Sequence, residues 1–209
     1  MYQEYFKRIF DLLLAIIAFP MFLVIVVVIV PLIYFEDKGT LFYNAPRLGK
    51  NGKSFNMYKF RSMKMNAPDI RNFDGSTYNA KDDQRLTKIG RFIRKTSLDE
   101  TPQLLNVFKG DMSIIGPRPD LIEHRSLYEG NEYRKLEVRP GITGYSQAYF
   151  RNAIPWKDRI KKDIYYIDHL TLWMDVKVLL KTVVLIIKRE KVYGEQKSDN
   201  VKDEKANDS

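Results

Sequence analysis

Two adjacent carboxylates, Asp99-Glu100, follow the cations Arg91, Arg94 and Lys95 and precede Thr101-Pro102. Carboxylates in a basic setting stay ionised, and an ionised carboxylate can hold Mg²⁺ through oxygen or attack phosphorus. The plainer alternative is a helix cap, with Ser97 followed three residues later by Glu100 as a capping box. Pro102 counts against that version, because it would fall where an intrahelical N–H is needed. A helix starting at Thr101 puts Pro102 at the favoured first position and leaves Asp99 and Glu100 just outside its positive end. Acidic residues commonly decorate helix starts, so the residue chemistry leaves both readings open.

A second candidate is Ile114-Ile115-Gly116-Pro117-Arg118-Pro119. Two prolines stiffen this loop around one guanidinium, and Arg118 could grip a phosphate in bidentate fashion. Taken alone, it also reads as a turn with a solvated arginine. Arg139-Pro140-Gly141-Ile142-Thr143-Gly144 is a similar turn, able to approach a ligand closely. Arg47, Lys50, Lys53, Lys59 and Arg61 form a basic run with no acid between them. Such a run ordinarily faces headgroups, and Lys59 is the member placed nearer a site. Asp163, Asp168 and His169 share one expected helix, where satisfied surface polar groups are the default. The glycine-rich loops of P-loop NTPases and dinucleotide-binding enzymes are missing, as is the nucleophile elbow of α/β-hydrolases.

The elements that must carry these residues follow from periodicity. Leu41-Phe42-Tyr43 and Ser54 to Phe60 read as strands of a hairpin, joined through the turn signal Gly49-Lys50-Asn51-Gly52. Residues 66–83 read as a polar loop, and Leu86, Ile89 and Ile93 mark a helix over 85–95. A short helix is expected over 102–109, ended by Gly110, and another over 119–138, with Pro140-Gly141 as a turn. Residues 157–190 hold one or two amphipathic helices, with Leu172, Val176, Leu179, Val183 and Ile187 as an apolar stripe for the core or the bilayer surface. Residues 194–209 are polar and expected to be disordered.

The chain of 209 residues has 35 Lys plus Arg against 26 Asp plus Glu, a net charge of +9 that calls for an anionic partner. With no Cys, disulfide scaffolds and thiol catalysis are excluded, and two His give no basis for a histidine metal cluster. The mean hydropathy of −0.36 hides an uncharged, apolar run from Leu12 to Phe35. As a straight helix it would reach about 36 Å, enough for a hydrocarbon core of about 30 Å. It is too long for a signal peptide and ends on bulky residues. Pro20 and Pro31 inside the run are expected to kink or break it. Basic residues flank both ends, which fits both ends being cytoplasmic. A spanning and a re-entrant helix both remain open on these residues, and Tyr2, Tyr5, Phe6, Ile9 and Phe10 read as interfacial anchors before it.

In order, the apolar segment, KFRSM (Lys59 to Met63), SLDETPQLLNVFKGDMSIIGPRP (Ser97 to Pro119), VRPGITG (Val138 to Gly144) and RNAIPW (Arg151 to Trp156) resemble the bacterial sugar transferase family, the monotopic phosphoglycosyl transferases, over residues 4–190. The resemblance implies transfer of a sugar-1-phosphate from a UDP-sugar to undecaprenyl phosphate with release of UMP, the first membrane step of capsule, O-antigen or glycoprotein glycan assembly. Asp99 would be the nucleophile on the β-phosphorus and would touch Mg²⁺. Glu100 would handle the proton or orient the lipid phosphate, and Arg118 would bind phosphate. Lys59, Arg94, Arg151, Asp163 and Asp168 would be phosphate or sugar contacts.

The resemblance further implies an α-rich α/β fold: a re-entrant N-terminal membrane helix over 1–37, a small, mostly helical cytoplasmic catalytic domain over 38–193 with a short β-hairpin and interfacial amphipathic helices, and the 194–209 tail. The site of work is the cytoplasmic face of the inner membrane. Expected partners are the UDP-sugar, undecaprenyl phosphate, membrane phospholipids and, as self-partner, a second copy in a homodimer; nucleic acid is not expected. Relatives that transfer hexose-1-phosphate often carry four extra spanning helices, absent from this sequence, so an N-acetylated hexosamine or its deoxy form is the expected sugar. Two positions depart from the family pattern: Phe19-Pro20 stands for its Ser-Pro, and Gly144-Tyr145-Ser146-Gln147 for Gly-Trp-Ala-Gln. A membrane-anchored scaffold without catalysis is the competing reading, disfavoured by the intact Asp99-Glu100 and Arg118 motifs.

Overall fold

The structure, a computed structural model, describes residues 2–70, 78, 83–150 and 153–188. A π-helical turn over Tyr2–Phe6 runs into α1, Lys7–Asp37, a helix long and apolar enough to cross a membrane by length and composition. Pro20 and Pro31 lie inside α1 without ending it, so of the expected kink or break the break is not seen; each proline removes one N–H, and the helix resumes on the bonds either side.

One face of α1 belongs to the protein core. Lys7, Asp11, Ala15, Phe22, Ile29 and Ile33 are its buried residues, and their steps of four and seven keep them on one stripe. From Ala15 onward the stripe joins Ala45, Met57, Phe60, Ile93, Leu104, Val107 and Met112 in a single hydrophobic cluster. Phe19 meets Phe108 edge to face at 5.5 Å between centroids. The opposite face, with Ile17, Val24, Val27 and Phe35, is exposed and apolar.

Both ends of α1 are tied to the same body. Near its start, Arg8 donates to the Val107 and Phe108 carbonyls at 2.7 and 3.3 Å. Lys7 pairs with Asp11 at 2.8 Å and Asp175 at 3.0 Å. Near its finish, Glu36 accepts from the Lys88 and Ile89 backbone N–H groups at 2.6 and 3.1 Å. Asp37 pairs with Arg61.

The expected hairpin forms, with a first strand that runs on past Tyr43 to Leu48. β1 (Phe42–Leu48) and β2 (Ser54–Phe60) pair antiparallel, with Tyr43 opposite Lys59. Helix α2 (Lys88–Lys95) is capped by the Thr87 hydroxyl, which accepts from Gly90 N–H. A 3-10 turn, Leu98–Glu100, leads into α3 (Gln103–Lys109), and Gly110 ends α3 at φ 95°. Helices α5 (Trp156–Asp168) and α6 (Leu172–Ile187) fill the 157–190 region, after a short α4 (Tyr145–Tyr149).

Two local expectations are corrected, and one left open is narrowed. Residues 119–138 form two 3-10 segments, Ile122–Leu127 and Gly130–Glu137, rather than one helix. Extended Tyr128 and Glu129 separate them, Gly130 opens the second at φ 50°, and inward pairing of Lys135 with Asp120 and Asp163 overrides helical periodicity. Gly141 begins a strand, β4 (Gly141–Thr143), parallel to β3 (Ser113–Ile115), where a turn was expected. A Cβ on Gly141 would lie 2.1 Å from Gly116 N, so only glycine permits this crossing. On α6 the buried residues are Asp175, Val178 and Leu185; of the stripe left open between core and bilayer surface, Leu179 packs against the core while Leu172, Val183 and Ile187 are exposed.

Candidate active site

Four elements bring the acid pair and its cations together. Ser97 takes a left-handed conformation at φ 57° and its hydroxyl makes no cap bond, so the capping-box reading fails. A non-glycine residue there costs of order 1 kcal/mol, and this bend sets Asp99 and Glu100 just ahead of α3. β2 delivers Lys59, α2 delivers Arg94 near its end, and the loop after β3 delivers Arg118.

Glu100 is the saturated member of the pair. Lys59 Nζ lies 2.6 Å from its Oε1 and Arg118 Nη2 3.3 Å from the same oxygen. Burial works against its ionisation, but Lys59 and Arg118 outweigh it and hold the carboxyl down at about 2. Asp99 is the opposite case. It is 7% exposed, and among the described residues no hydrogen bond to its carboxylate is found. Burial pushes its pKa up to about 6, against the pull of Lys59, with Glu100 adding to the rise and Arg94 and Arg118 opposing it. The Nη1 of Arg94 is buried without a hydrogen-bond partner among the described residues. Three cations thus face two carboxylates, one of them reluctant to ionise: an arrangement that can receive an anionic ligand next to an under-solvated carboxylate.

The Arg118 loop is pinned on both sides. Upstream, Asp11 of α1 accepts from the Ser113 hydroxyl at 2.9 Å and Ile114 N–H at 3.1 Å. Downstream, Asp120 accepts from Trp156 Nε1 at 3.0 Å and Tyr128 OH at 2.7 Å, and pairs with buried Lys135. Burial disfavours the Asp120 charge, yet Lys135, His124 and Tyr128 keep its carboxyl far below the usual range.

The remaining expected site residues are elsewhere. Asp163 is buried behind Asp120, 3.3 Å from Lys135 Nζ, and Asp168 sits on the surface paired with Arg134 at 2.6 Å; neither joins the acid pair. Arg151 lies outside the described residues. Tyr145, the departure from the family pattern, packs against Tyr149 and Tyr165. Sequence reasoning missed Asp11 and Asp120. Asp11 had a signal: a single acid four residues after Lys7, at the threshold of an apolar run, implies a paired buried charge. Asp120 had none.

For Mg²⁺, no group of three His, Cys, Asp or Glu is found among the described residues. Magnesium keeps several waters and needs only one or two carboxylates plus substrate phosphates, and the free carboxylate of Asp99 fits that donor set.

Residues 2–189 match the family described as "Bacterial sugar transferase". "Uncharacterized sugar transferase EpsL" of Bacillus subtilis is 40% identical over 195 residues, covering 93% of this chain and 92% of that protein. "Undecaprenyl-phosphate galactose phosphotransferase" of Salmonella typhimurium is 37% identical over 208 residues, 91% of this chain and 42% of that protein. "UDP-N-acetylgalactosamine-undecaprenyl-phosphate N-acetylgalactosaminephosphotransferase" of Aeromonas hydrophila is 38% identical over 193 residues, 88% and 44% respectively. The chain therefore spans nearly all of the first of these relatives and less than half of the other two.

Proposed function

The chain belongs to the bacterial sugar transferase family, and on that premise we propose that it transfers a sugar-1-phosphate from a UDP-sugar to undecaprenyl phosphate, releasing UMP. The observation that carries this reading is the Asp99 carboxylate, buried, without a hydrogen bond among the described residues and faced by Lys59, Arg94 and Arg118. An ionised carboxylate held that way is a nucleophile for phosphorus rather than a structural ion pair.

In the first displacement an Asp99 oxygen bonds to the β-phosphorus, and the bond from that phosphorus to the bridging oxygen breaks, so UMP leaves with the electron pair. In the second, an oxygen of undecaprenyl phosphate attacks the same phosphorus, the bond to Asp99 breaks, and the carboxylate is restored. Arg118, exposed at the tip of a loop stiffened by Pro117 and Pro119, and Arg94, with its spare Nη1, hold the charge on the transferring group. Bound Mg²⁺ would supply further charge neutralisation at the diphosphate, with Asp99 as its protein ligand. The low pKa of Glu100 supports an orienting role over carrying a proton.

The galactose and N-acetylgalactosamine in the relatives' names make both UDP-sugars candidates; the N-acetylated hexosamine is proposed first. The proposed location is the cytoplasmic face of the inner membrane, with α1 entering and leaving on one side. Its support is that both ends of α1 bind the same body. The outward apolar faces of α1 and α6 would meet lipid.

The experiment is UMP release from purified protein given undecaprenyl phosphate, Mg²⁺ and a UDP-sugar panel. Release with at least one UDP-sugar is expected; none across the panel sinks the reading. Single cysteines near residues 2 and 40, in a chain with no native Cys, should both label from the cytoplasmic side. Labelling from opposite sides rules out the same-side anchor.

A further inference from the structure

Asn106 is fully buried on α3 between core residues Leu104 and Val107, a place where leucine would be favoured by both helix propensity and burial. Its side chain instead reaches another element. Oδ1 accepts from the Tyr58 N–H at 2.9 Å, while Nδ2 donates to the Asn56 carbonyl at 2.8 Å and to Asp111 Oδ2 at 3.3 Å. These backbone groups lie on the edge of β2 turned away from β1, since Tyr58 and Asn56 sit opposite Asn44 and Pro46 and flank the Met57–Ala45 pair. The side-chain amide offers β2 the donor and acceptor that another strand would offer.

The next residue along that strand is Lys59, whose ammonium meets Glu100 at 2.6 Å. Glu100 in turn lies in the turn that feeds α3. The chain of contacts closes on itself: β2 to Lys59, Lys59 to Glu100, Glu100 to α3, and α3 through Asn106 back to β2. Neither the hairpin nor α3 fixes this register by itself. We propose that Asn106 is a positioning residue for the phosphoryl transfer, holding β2 in register with α3 so that Lys59 stays on Glu100 beside Asp99. This rests on the transferase reading above.

The test is a double-mutant cycle on full-length protein in detergent, read as kcat and KM for UMP release by wild type, Asn106→Ala, Lys59→Met and the double variant. Asn106→Ala is expected to lower kcat about 30-fold with KM changed by less than about threefold, because misplacement of about 1 Å is costly for chemistry. In the Lys59→Met background the same substitution is expected to cost less than about threefold, since residues acting through one contact are not additive. Equal losses in both backgrounds would mean a purely structural role and overturn the proposal. Asn106→Gln keeps the amide but displaces it by one methylene, and runs through the same cycle should the alanine variant not fold. Amide hydrogen exchange is expected to speed up at Tyr58 and not at Met57; unchanged protection at Tyr58 counts against the bond itself. A wild type that releases no UMP overturns the transferase reading and this proposal together, whereas an active wild type with independent losses overturns this proposal alone.

Discussion

The clamp at the base of α1 and the acid pair ahead of α3 are both clusters of charge inside the fold, but one is closed and the other open. In the clamp, Asp11 takes Lys7, the Ser113 hydroxyl and Ile114 N–H. Asp175 takes Tyr2 at 2.6 Å, Tyr166 at 2.6 Å and Lys7. Every cation and carboxylate there has a protein partner, and such a cluster serves architecture: it fastens α1 to β3 and α6. Around Asp99 the cations are present, but among the described residues Lys59 and Arg118 hydrogen-bond to Glu100 and not to Asp99. Buried polar groups are normally satisfied, and among the described residues Arg94 Nη1 is buried without a partner; on the proposed reading a ligand's charge completes this cluster.

The largest effect should come from Asp99→Asn. It is expected to cut UMP release by about 10³-fold or more, since the amide cannot attack phosphorus, while thermal stability stays level or rises. The stability half follows from the raised pKa of about 6. A carboxyl raised in the folded state contributes stability that is present below its unfolded value and lost as pH rises through about 6. Removing the charge relieves that loss at neutral pH. Wild-type-like turnover would end the nucleophile assignment.

The converse substitution is Asp175→Ala in the clamp. Taking one partner from a buried ion pair is expected to cost about 3–5 kcal/mol of stability, read as a lower midpoint in denaturant. If this variant were as stable as wild type but inactive, the clamp would have to be counted with the chemistry, and the contrast between the two clusters would fail.

Arg118→Lys is expected to lower kcat by about 10–100-fold with stability little changed, because the planar fork is lost while the charge is kept. Arg118 is exposed, so a large stability loss would show that its loop, rather than its guanidinium, is what matters. The kcat/KM of the wild type is expected to fall on the acid side with a limb near pH 6 as Asp99 of the ligand-free enzyme protonates. A limb near 4 would mean that Asp99 is solvated like an ordinary carboxyl.

How much of this was legible before the fold was known differs by region. Asp99-Glu100, Arg118 and the hairpin could be read, because each is a local pattern: adjacent acids before a proline, an arginine between two prolines, strands around a Gly-rich turn. The β3–β4 pair could not. Its strands are three residues each and separated in sequence, so only the tight Gly116–Gly141 crossing defines them. The 119–138 segment misled because Lys135 and Asp120 pair inside the fold, a long-range fact that overrides helical spacing. For the α6 stripe, core and bilayer surface could not be told apart in the sequence, because buried Asp175, a polar residue, marks the core side, and a hydrophobic count assigns it to the surface.

The smallest effect is expected from Asp168→Asn, and it sharpens the boundary of the open cluster. Asp168 was an expected ligand contact, but its carboxylate is solvent-exposed and engaged by Arg134, which itself also meets Glu137 at 3.2 Å. Exposed pairs of this sort contribute little, since water and salt screen them and long side chains lose entropy on pairing. Neither kcat nor KM should move by more than about twofold, and the melting temperature should stay within the scatter of surface substitutions. A tenfold rise in KM with kcat unchanged would mean that the substrate reaches the end of α5. The ligand would then extend well beyond the cations that Asp99 faces, and the open cluster would have to be redrawn to include a residue whose charge is already matched by protein.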